Sequence, residues 1–365
     1  MIVFPYLVSI FVTFFTTILT IRIFKHFGWL EDPRQKQAKT GNATASSTVP
    51  RGGGLPIFLG ITISFLFSSL YFHFPLSSRF LAIFLALLFN LIVGLVDDVI
   101  DISPKLRLFT NLVSALIIVA AGIGIAYVSN PFGPGILNLS HPQLSFQLFG
   151  QVRTLWLFSD LFAVFWLVWC TNIVGWATGI EGQLPGFASI AAFFIALLSL
   201  RFSTDSSQLP VFLLALSVSG AFLGFLPFNF YPQKIMPGYS GKSLAGFLLA
   251  VLSILSGAKV ATLVLLLSLP MLDGLFVLLR RFFHHKPLYL SDGYHFHHRL
   301  LKLGWGRRRI AIFYWLVTFL AGLLALSLNS QQKFYAFLCI SLVFLGFLWQ
   351  LSRHNEPKSS QSNSL

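Results

Sequence analysis

Apolar runs of about twenty residues alternate with short polar connections along almost the whole chain. Each run is long enough to cross a bilayer as a helix. Eleven are read, over 2–24, 55–75, 80–97, 108–130, 156–177, 187–202, 210–230, 243–257, 259–279, 309–328 and 333–352. The runs are continuous rather than alternating, so they predict helices and not the strands of a membrane barrel. The expected fold is all-α: a polytopic integral membrane protein in which residues 1–352 form a single transmembrane catalytic domain. The polar segment HNEPKSSQSNSL after Arg353 reads as a disordered tail.

Charge orients this bundle. With an odd number of spans and the N-terminus outside, the inner connections hold 20 of the 25 Lys and Arg residues and the outer ones hold 5. That asymmetry obeys the positive-inside rule and puts the C-terminus in the cytoplasm. The first apolar run has no basic residue before it, which predicts a retained helix rather than a cleaved leader. The net charge of +14 is therefore mostly a property of the cytoplasmic face, where it attracts anionic lipid headgroups. Basic residues dispersed between spans do not suit nucleic acid. Cys170 and Cys339 both fall inside predicted spans, so neither a disulfide framework nor a cysteine metal cluster is expected.

Only 11 of the 365 residues are Asp or Glu, and three of them lie in GLVDDVID, residues 94–101. Asp97 and Asp98 stand where a predicted span meets the cytoplasm. Adjacent helix positions diverge by about 100°, so the two carboxylates can flank one ligand. Asp101, four residues after Asp97, shares its face if the helix continues. Adjacent anions call for a cation, and Mg²⁺ suits hard carboxylate oxygens while sharing substrate phosphates. Lys105 and Arg107 follow closely. HFHHR, with His295, His297, His298 and Arg299, fits no common zinc spacing and reads as a phosphate cradle, with Asp292 placed to orient an imidazole. TVPRGGG, with Arg51, allows close backbone approach to a ligand. GYSGKS lacks the spacing of a nucleotide-triphosphate loop. Asp273, within a predicted span, is the residue that fits a transporter best.

In their relative order, PRGGGLPIF, GLVDDVIDISPKLRL, LPMLDGLFVLLRR and SDGYHFHHRLLKLG resemble the polyprenyl-phosphate N-acetylhexosamine-1-phosphate transferases of glycosyltransferase family 4. The resemblance covers about residues 28–310. It implies an eleven-span plasma-membrane enzyme with its site on the cytoplasmic face. Such an enzyme moves a sugar-1-phosphate from a UDP-sugar to polyprenyl (undecaprenyl) phosphate, releases UMP and needs Mg²⁺. HFHHR resembles the branch using UDP-N-acetylglucosamine-type donors. The resemblance implies Asp97, Asp98 and Glu181 as catalytic and Mg²⁺-binding residues. Arg51, Lys105, Asn172, Lys242, His295, His297, His298 and Arg299 become the substrate-binding set. A homodimer is among the assemblies left open.

Two motifs depart from that family. The pattern NxxNxxDGxDG keeps Asn172 but has Gly175, Thr178 and Glu181 at the next three polar positions. GDxGS becomes Gly238, Tyr239, Ser240, Gly241 and Lys242, which replaces a metal-binding aspartate with tyrosine. The usual loop histidine is absent, with Lys39 nearest by spacing. Lys242 is expected to supply part of the missing positive charge. The rival expectation is a catalytically impaired member that binds polyprenyl phosphate or a partner; a secondary transporter is the third.

Overall fold

The computed structural model describes residues 3–34, 47–148, 151–202, 204–205, 207–256, 259–287 and 293–354. Lys36, Lys39, Asp292 and the tail from 355 onward lie outside them; residues 353 and 354 end the last helix rather than begin a tail.

The helices are α1 (Phe4–His26), α2 (Gly54–Tyr71), α3 (Ser78–Ile100), α4 (Pro104–Ala120), α5 (Leu157–Trp176), α6 (Gln183–Ser199), α7 (Gln208–Asn229), α8 (Gly238–Leu255), α9 (Lys259–Leu266), α10 (Ser268–Phe283), α11 (Phe296–Lys302), α12 (Arg307–Ser327) and α13 (Ser330–His354). Eight of them, α1, α2, α3, α5, α7, α8, α12 and α13, are long and apolar enough to cross a membrane. The protein is thus a multi-pass membrane protein. Each of the eleven apolar runs coincides with a helix or a helix pair. However, α4 and α6 have only 17 residues each, and the run 259–279 is not one straight span. It is divided into α9 and α10, bent by 84°. Pro270 explains the break. It lacks an N–H, and its ring crowds the carbonyl four residues back, on Leu266, where α9 ends.

α7 is apolar and buried on nearly all faces, as a helix in the middle of a bundle must be. It packs against α1, α2 and α6. Small residues permit the approach: a Cβ on Gly224 would stand 2.5 Å from the Ile10 carbonyl oxygen of α1. Hydroxyls join the same helices. Ser9 Oγ donates to the Ser217 carbonyl at 2.6 Å, and Ser64 Oγ lies 2.8 Å from Ser217 Oγ. On the other side, α8 packs between α3 and α5, with α4 bridging α3 and α5.

The bundle is all-α, but its connections are not. Leu30–Glu31 (β1) pairs with Val49–Pro50 (β2). Between α4 and α5, Tyr127–Ser129 (β3) pairs with Ile136–Asn138 (β4), and Gln143–Leu148 (β5) with Gln151–Trp156 (β6), all antiparallel. The last two hairpins were not expected. Of these strands, β5 carries a period-two alternation, QLSFQL. They lie at the end of the bundle from which α5 starts. The acids and histidines gather at the opposite end, where α3 and α5 finish and α8 begins.

Candidate active site

Asp97 and Asp98 are both buried in the last turn of α3. The helix does not continue to Asp101, which takes a left-handed conformation (φ 52°) and ends α3. This turn still points Asp101 back toward the other acids. Arg51, on the segment after β2, reaches all of them. Its guanidinium lies 2.9 Å from Asp101, 3.2 Å from Glu31 and 3.7 Å from both Asp97 and Asp98. Burial works against the charge of Arg51, but Asp98, Glu31 and Asp101 outweigh it and raise its pKa above the ordinary value. Arg107, in the first two turns of α4, donates from Nε to Asp97 Oδ1 at 2.6 Å and lies 3.6 Å from Asp101.

The two aspartates differ in what remains available. Asp98 spans from α3 to the start of α8. Its carboxylate accepts from Tyr239 N–H at 2.6 Å, from Ser240 N–H at 3.3 Å and from Ser240 Oγ at 2.5 Å. It thus satisfies N–H groups that a helix start leaves without intrahelical partners. Gly238 makes this possible. It holds φ +68°, and a Cβ there would sit 2.3 Å from Asp98 Oδ2. Asp97 uses Oδ1 for Arg107 and for the Ile102 N–H at 3.1 Å. Its Oδ2 is buried and has no hydrogen-bond partner. Such an orphaned acceptor is costly unless something else fills the role.

Tyr239 stands where the family resemblance has an aspartate. Its phenol donates to Asn111 Oδ1 at 3.0 Å, and the Arg107 guanidinium lies 5.1 Å from its ring centre. One turn further along α8, Lys242 Nζ donates to the Thr178 carbonyl at 2.9 Å. The first turn of α8 therefore connects the aspartate cluster to the α5–α6 connection. Thr178 turns its hydroxyl onto the Val174 carbonyl, at 2.8 Å. Glu181 Oε2 pairs with Arg307 at 2.7 Å, while Oε1 is buried without a partner.

The histidine segment closes over this connection. His295 and His297 stack in parallel at 5.8 Å, and His298 lies 4.3 Å from His297. His297 is fully buried over Gly179, where a Cβ would stand 2.3 Å from its Nε2. Neither of its ring nitrogens has a partner at hydrogen-bonding geometry, although the Ala177 carbonyl lies near enough to favour a proton there. Burial, with the charges of His298, His295 and Lys242, holds its pKa well below the ordinary histidine value. His297 is therefore neutral at pH 7. Asp273 is the anchor of this segment: it accepts from the Phe296 N–H at 2.7 Å and lies 3.1 Å from His295 Nδ1. Arg299 donates from Nε to the Tyr294 carbonyl at 3.2 Å.

The expected site residues do not all meet. Asp97, Asp98 and Arg51 form one cluster. Glu181, Lys242, His295, His297 and His298 surround the other, joined to the first through α8. Lys105 is exposed and enters none of these contacts; Arg107, two residues on, makes the one expected of it. Asn172 donates to the Val168 carbonyl in its own helix and faces an apolar groove between α4 and α5, with Leu108, Leu112, Phe165 and Trp169. Glu31, Asn111 and Arg307 were not foreseen, and Arg107 and Ser240 were named by position without these contacts. Among the described residues no three His, Cys, Asp or Glu side chains come together as a metal site. Two buried carboxylate oxygens without a hydrogen-bond partner, Asp97 Oδ2 and Glu181 Oε1, are left to hold Mg²⁺, because Asp98 is spent on α8 and only the other oxygen of Glu181 is paired with Arg307.

The family model described as Glycosyl transferase family 4 matches residues 80–257. The chain is 27% identical over 350 residues to a Bacillus subtilis (strain 168) protein named "Probable undecaprenyl-phosphate N-acetylglucosaminyl 1-phosphate transferase", covering 94% of this chain and 89% of that one. It is 26% identical to the decaprenyl-phosphate N-acetylglucosaminephosphotransferase of Mycobacterium tuberculosis (strain H37Rv), over 84% of this chain and 77% of that one. It is 30% identical to the phospho-N-acetylmuramoyl-pentapeptide-transferase of Enterococcus hirae, over 68% of this chain and 73% of that one. With its acids at the end of α3, its histidine segment over the α5–α6 connection and relatives matched across most of their length, the chain belongs to glycosyl transferase family 4, in the polyprenyl-phosphate N-acetylhexosamine-1-phosphate transferase superfamily.

Proposed function

We propose that this protein transfers a sugar-1-phosphate, N-acetylhexosamine-1-phosphate, from a UDP-sugar to polyprenyl phosphate. The products are a polyprenyl-diphospho-sugar and UMP, in the first membrane step of cell-envelope glycan assembly. The observation that carries the reading is Asp97 Oδ2, a buried carboxylate oxygen without a hydrogen-bond partner, held between Arg51 and Arg107 at the end of α3.

The chemistry follows from charge and position. A polyprenyl phosphate oxygen attacks the phosphorus that carries the sugar. The bond from that phosphorus to the bridging oxygen breaks, and its electron pair leaves with UMP. The lipid phosphate attacks as its anion, so the step needs no base and leaves Asp97 Oδ2 for the metal. The apolar groove between α4 and α5 suits the first isoprene units, because Leu108 directly follows Arg107. Four carboxylates (Glu31, Asp97, Asp98, Asp101) face two guanidiniums (Arg51, Arg107), so the cluster is two charges negative. Phosphates need further positive charge to enter. Lys242, exposed Lys105 and Mg²⁺ at Asp97 Oδ2 are the sources proposed. When bound, Mg²⁺ neutralises phosphate oxygens and polarises the phosphorus under attack. The neutral His297 and the His295, His298 and Arg299 side chains are assigned to the donor diphosphate. Eleven spans, an outer N-terminus and a cytoplasmic site in the plasma membrane complete the reading, since a soluble nucleotide donor and a membrane lipid meet only at that face.

UMP release by the purified protein tests this, with UDP-N-acetylglucosamine, undecaprenyl phosphate and Mg²⁺. Release that requires the lipid and is lost in Asp97→Asn supports the transferase. Lipid binding without release, from any of a panel of UDP-sugars, overturns it in favour of an impaired binder. The tie between Tyr239 and Asn111 is the observation that favours that second reading.

A further inference from the structure

At the end of the bundle opposite the aspartates lies a cavity of about 540 Å³. It is walled by the start of α5, the end of α8, α9 and the first turns of α13, and by the β3 strand. Ser253, which lines it, is 13 residues along α8 from Ser240, or roughly 20 Å at 1.5 Å per residue. The cavity is thus separate from the proposed transfer site. Its volume is that of a small-molecule pocket, and its wall is mostly apolar, with Val128, Phe162, Val264, Phe334 and Phe337.

Three polar side chains in this wall are more than nine-tenths buried: Lys333, Gln208 and Ser256. Lys333 donates one hydrogen bond, from Nζ to Thr262 Oγ1 at 2.9 Å. An ammonium has three donors, and no carboxylate pairs with this one among the described residues. Gln208 Oε1 and Ser256 Oγ are buried without a partner. The charge that acts on Lys333 is of the same sign, Arg201. Asp205, in the adjoining turn, is exposed and accepts from the Ser207 N–H instead. A buried cation that feels another cation's charge and has no ion-pair partner among the described residues is expensive. An anion seated against Lys333 would remove that cost, while Ser256 could donate to it.

We propose that this cavity binds an anionic amphiphile, with its acid head against Lys333 and Ser256 and its hydrocarbon chain along Phe162, Val264 and Phe337. The head is a carboxylate or a phosphate monoester; both present the oxygen acceptors that Lys333 lacks. The inference is independent of the transferase reading.

The test is equilibrium binding of radiolabelled dodecanoate, dodecyl phosphate and dodecanol to the full chain in phosphatidylcholine nanodiscs, with empty nanodiscs subtracted. At least one anion is expected to bind ten-fold or more tightly than dodecanol, and the order of the two anions identifies the headgroup class. Lys333→Gln should bring the anions to the level of dodecanol, Lys333→Arg should keep the preference, and Val264→Trp should abolish binding by filling the cavity. Equal binding of all three ligands, or anion binding unchanged in Lys333→Gln, overturns the proposal and leaves the cavity as a lipid-filled gap. Should Lys333→Gln fail to fold, the headgroup series on the unaltered protein decides alone.

Discussion

Lys242 Nζ donates to the carbonyl oxygen of Thr178 at 2.9 Å. Each residue belongs to a motif that departs from the family pattern, so the two departures are in contact. A fixed ammonium therefore stands at the junction between the aspartate cluster and the histidine segment.

Its removal is expected to reduce transfer. A preorganised positive group facing developing phosphate charge contributes about 10²–10³ in rate, so Lys242→Ala should lower UMP release by roughly that factor and raise the Mg²⁺ concentration needed for half-maximal rate. Unchanged turnover and metal dependence in that variant would remove Lys242 from the mechanism.

Tyr239→Asp restores the carboxylate that the family resemblance implies. It adds a negative charge to a cluster already two charges negative, and it breaks the bond to Asn111. Transfer by this variant should depend on Mg²⁺ more steeply than transfer by the unaltered protein. A metal titration of UMP release checks the comparison.

Arg107→Ala leaves the buried Asp97 carboxylate with Arg51 at 3.7 Å as its remaining cationic neighbour. Breaking a buried ion pair costs about 3–5 kcal/mol, and the lower end applies because Arg107 is itself partly exposed. Thermal unfolding in detergent should show a lowered midpoint, and Asp97→Asn should recover part of it. Additive losses in the double variant would contradict the pairing.

Gly238→Ala forces a Cβ against Asp98 Oδ2 at a residue with φ +68°. The left-handed conformation alone costs about 1–2 kcal/mol, and Asp98 must also give up the start of α8. Stability and UMP release should fall together, whereas Gly175→Ala, where a Cβ meets open space, should leave both near their original values.

His297 sets an acid limit on stability. Its pKa in the folded chain is well below the ordinary value, so below about pH 6.5, the unfolded value, the unfolded chain binds more protons than the folded one. Stability is fully present above that pH and falls as pH drops through it. Denaturation midpoints measured between pH 7.5 and 5 should show the decline. His297→Gln should flatten it.

The sequence made the spans legible because a bilayer demands continuous apolar length, and it made the acids legible because a membrane chain has so few. What stayed hidden depended on direction in space. Lys105 and Arg107 are equivalent as charges, but only Arg107 points from α4 toward Asp97. Asp273 read as an intramembrane charge suited to transport; the break at Pro270 turns α10 so that this carboxylate instead holds the Phe296 N–H. Glu181 has the chemistry of a metal ligand, and one of its oxygens pairs with Arg307, 126 residues later, a partner that no local pattern announces. Strand β5 alternates in QLSFQL but lies between stronger apolar runs, and its partner β6 does not alternate.

Asp98 accepts from two backbone N–H groups and one hydroxyl at the start of α8. This gives the residue an architectural duty that exists whether or not any substrate is turned over. A descendant of this chain that lost its chemistry would still be selected to keep Asp98, since it ties the end of α3 to the start of α8. Asp97 has one oxygen with no such employment. Across related chains, drift at position 97 would therefore mark the loss of activity, while persistence at position 98 would mark only that the helices still join.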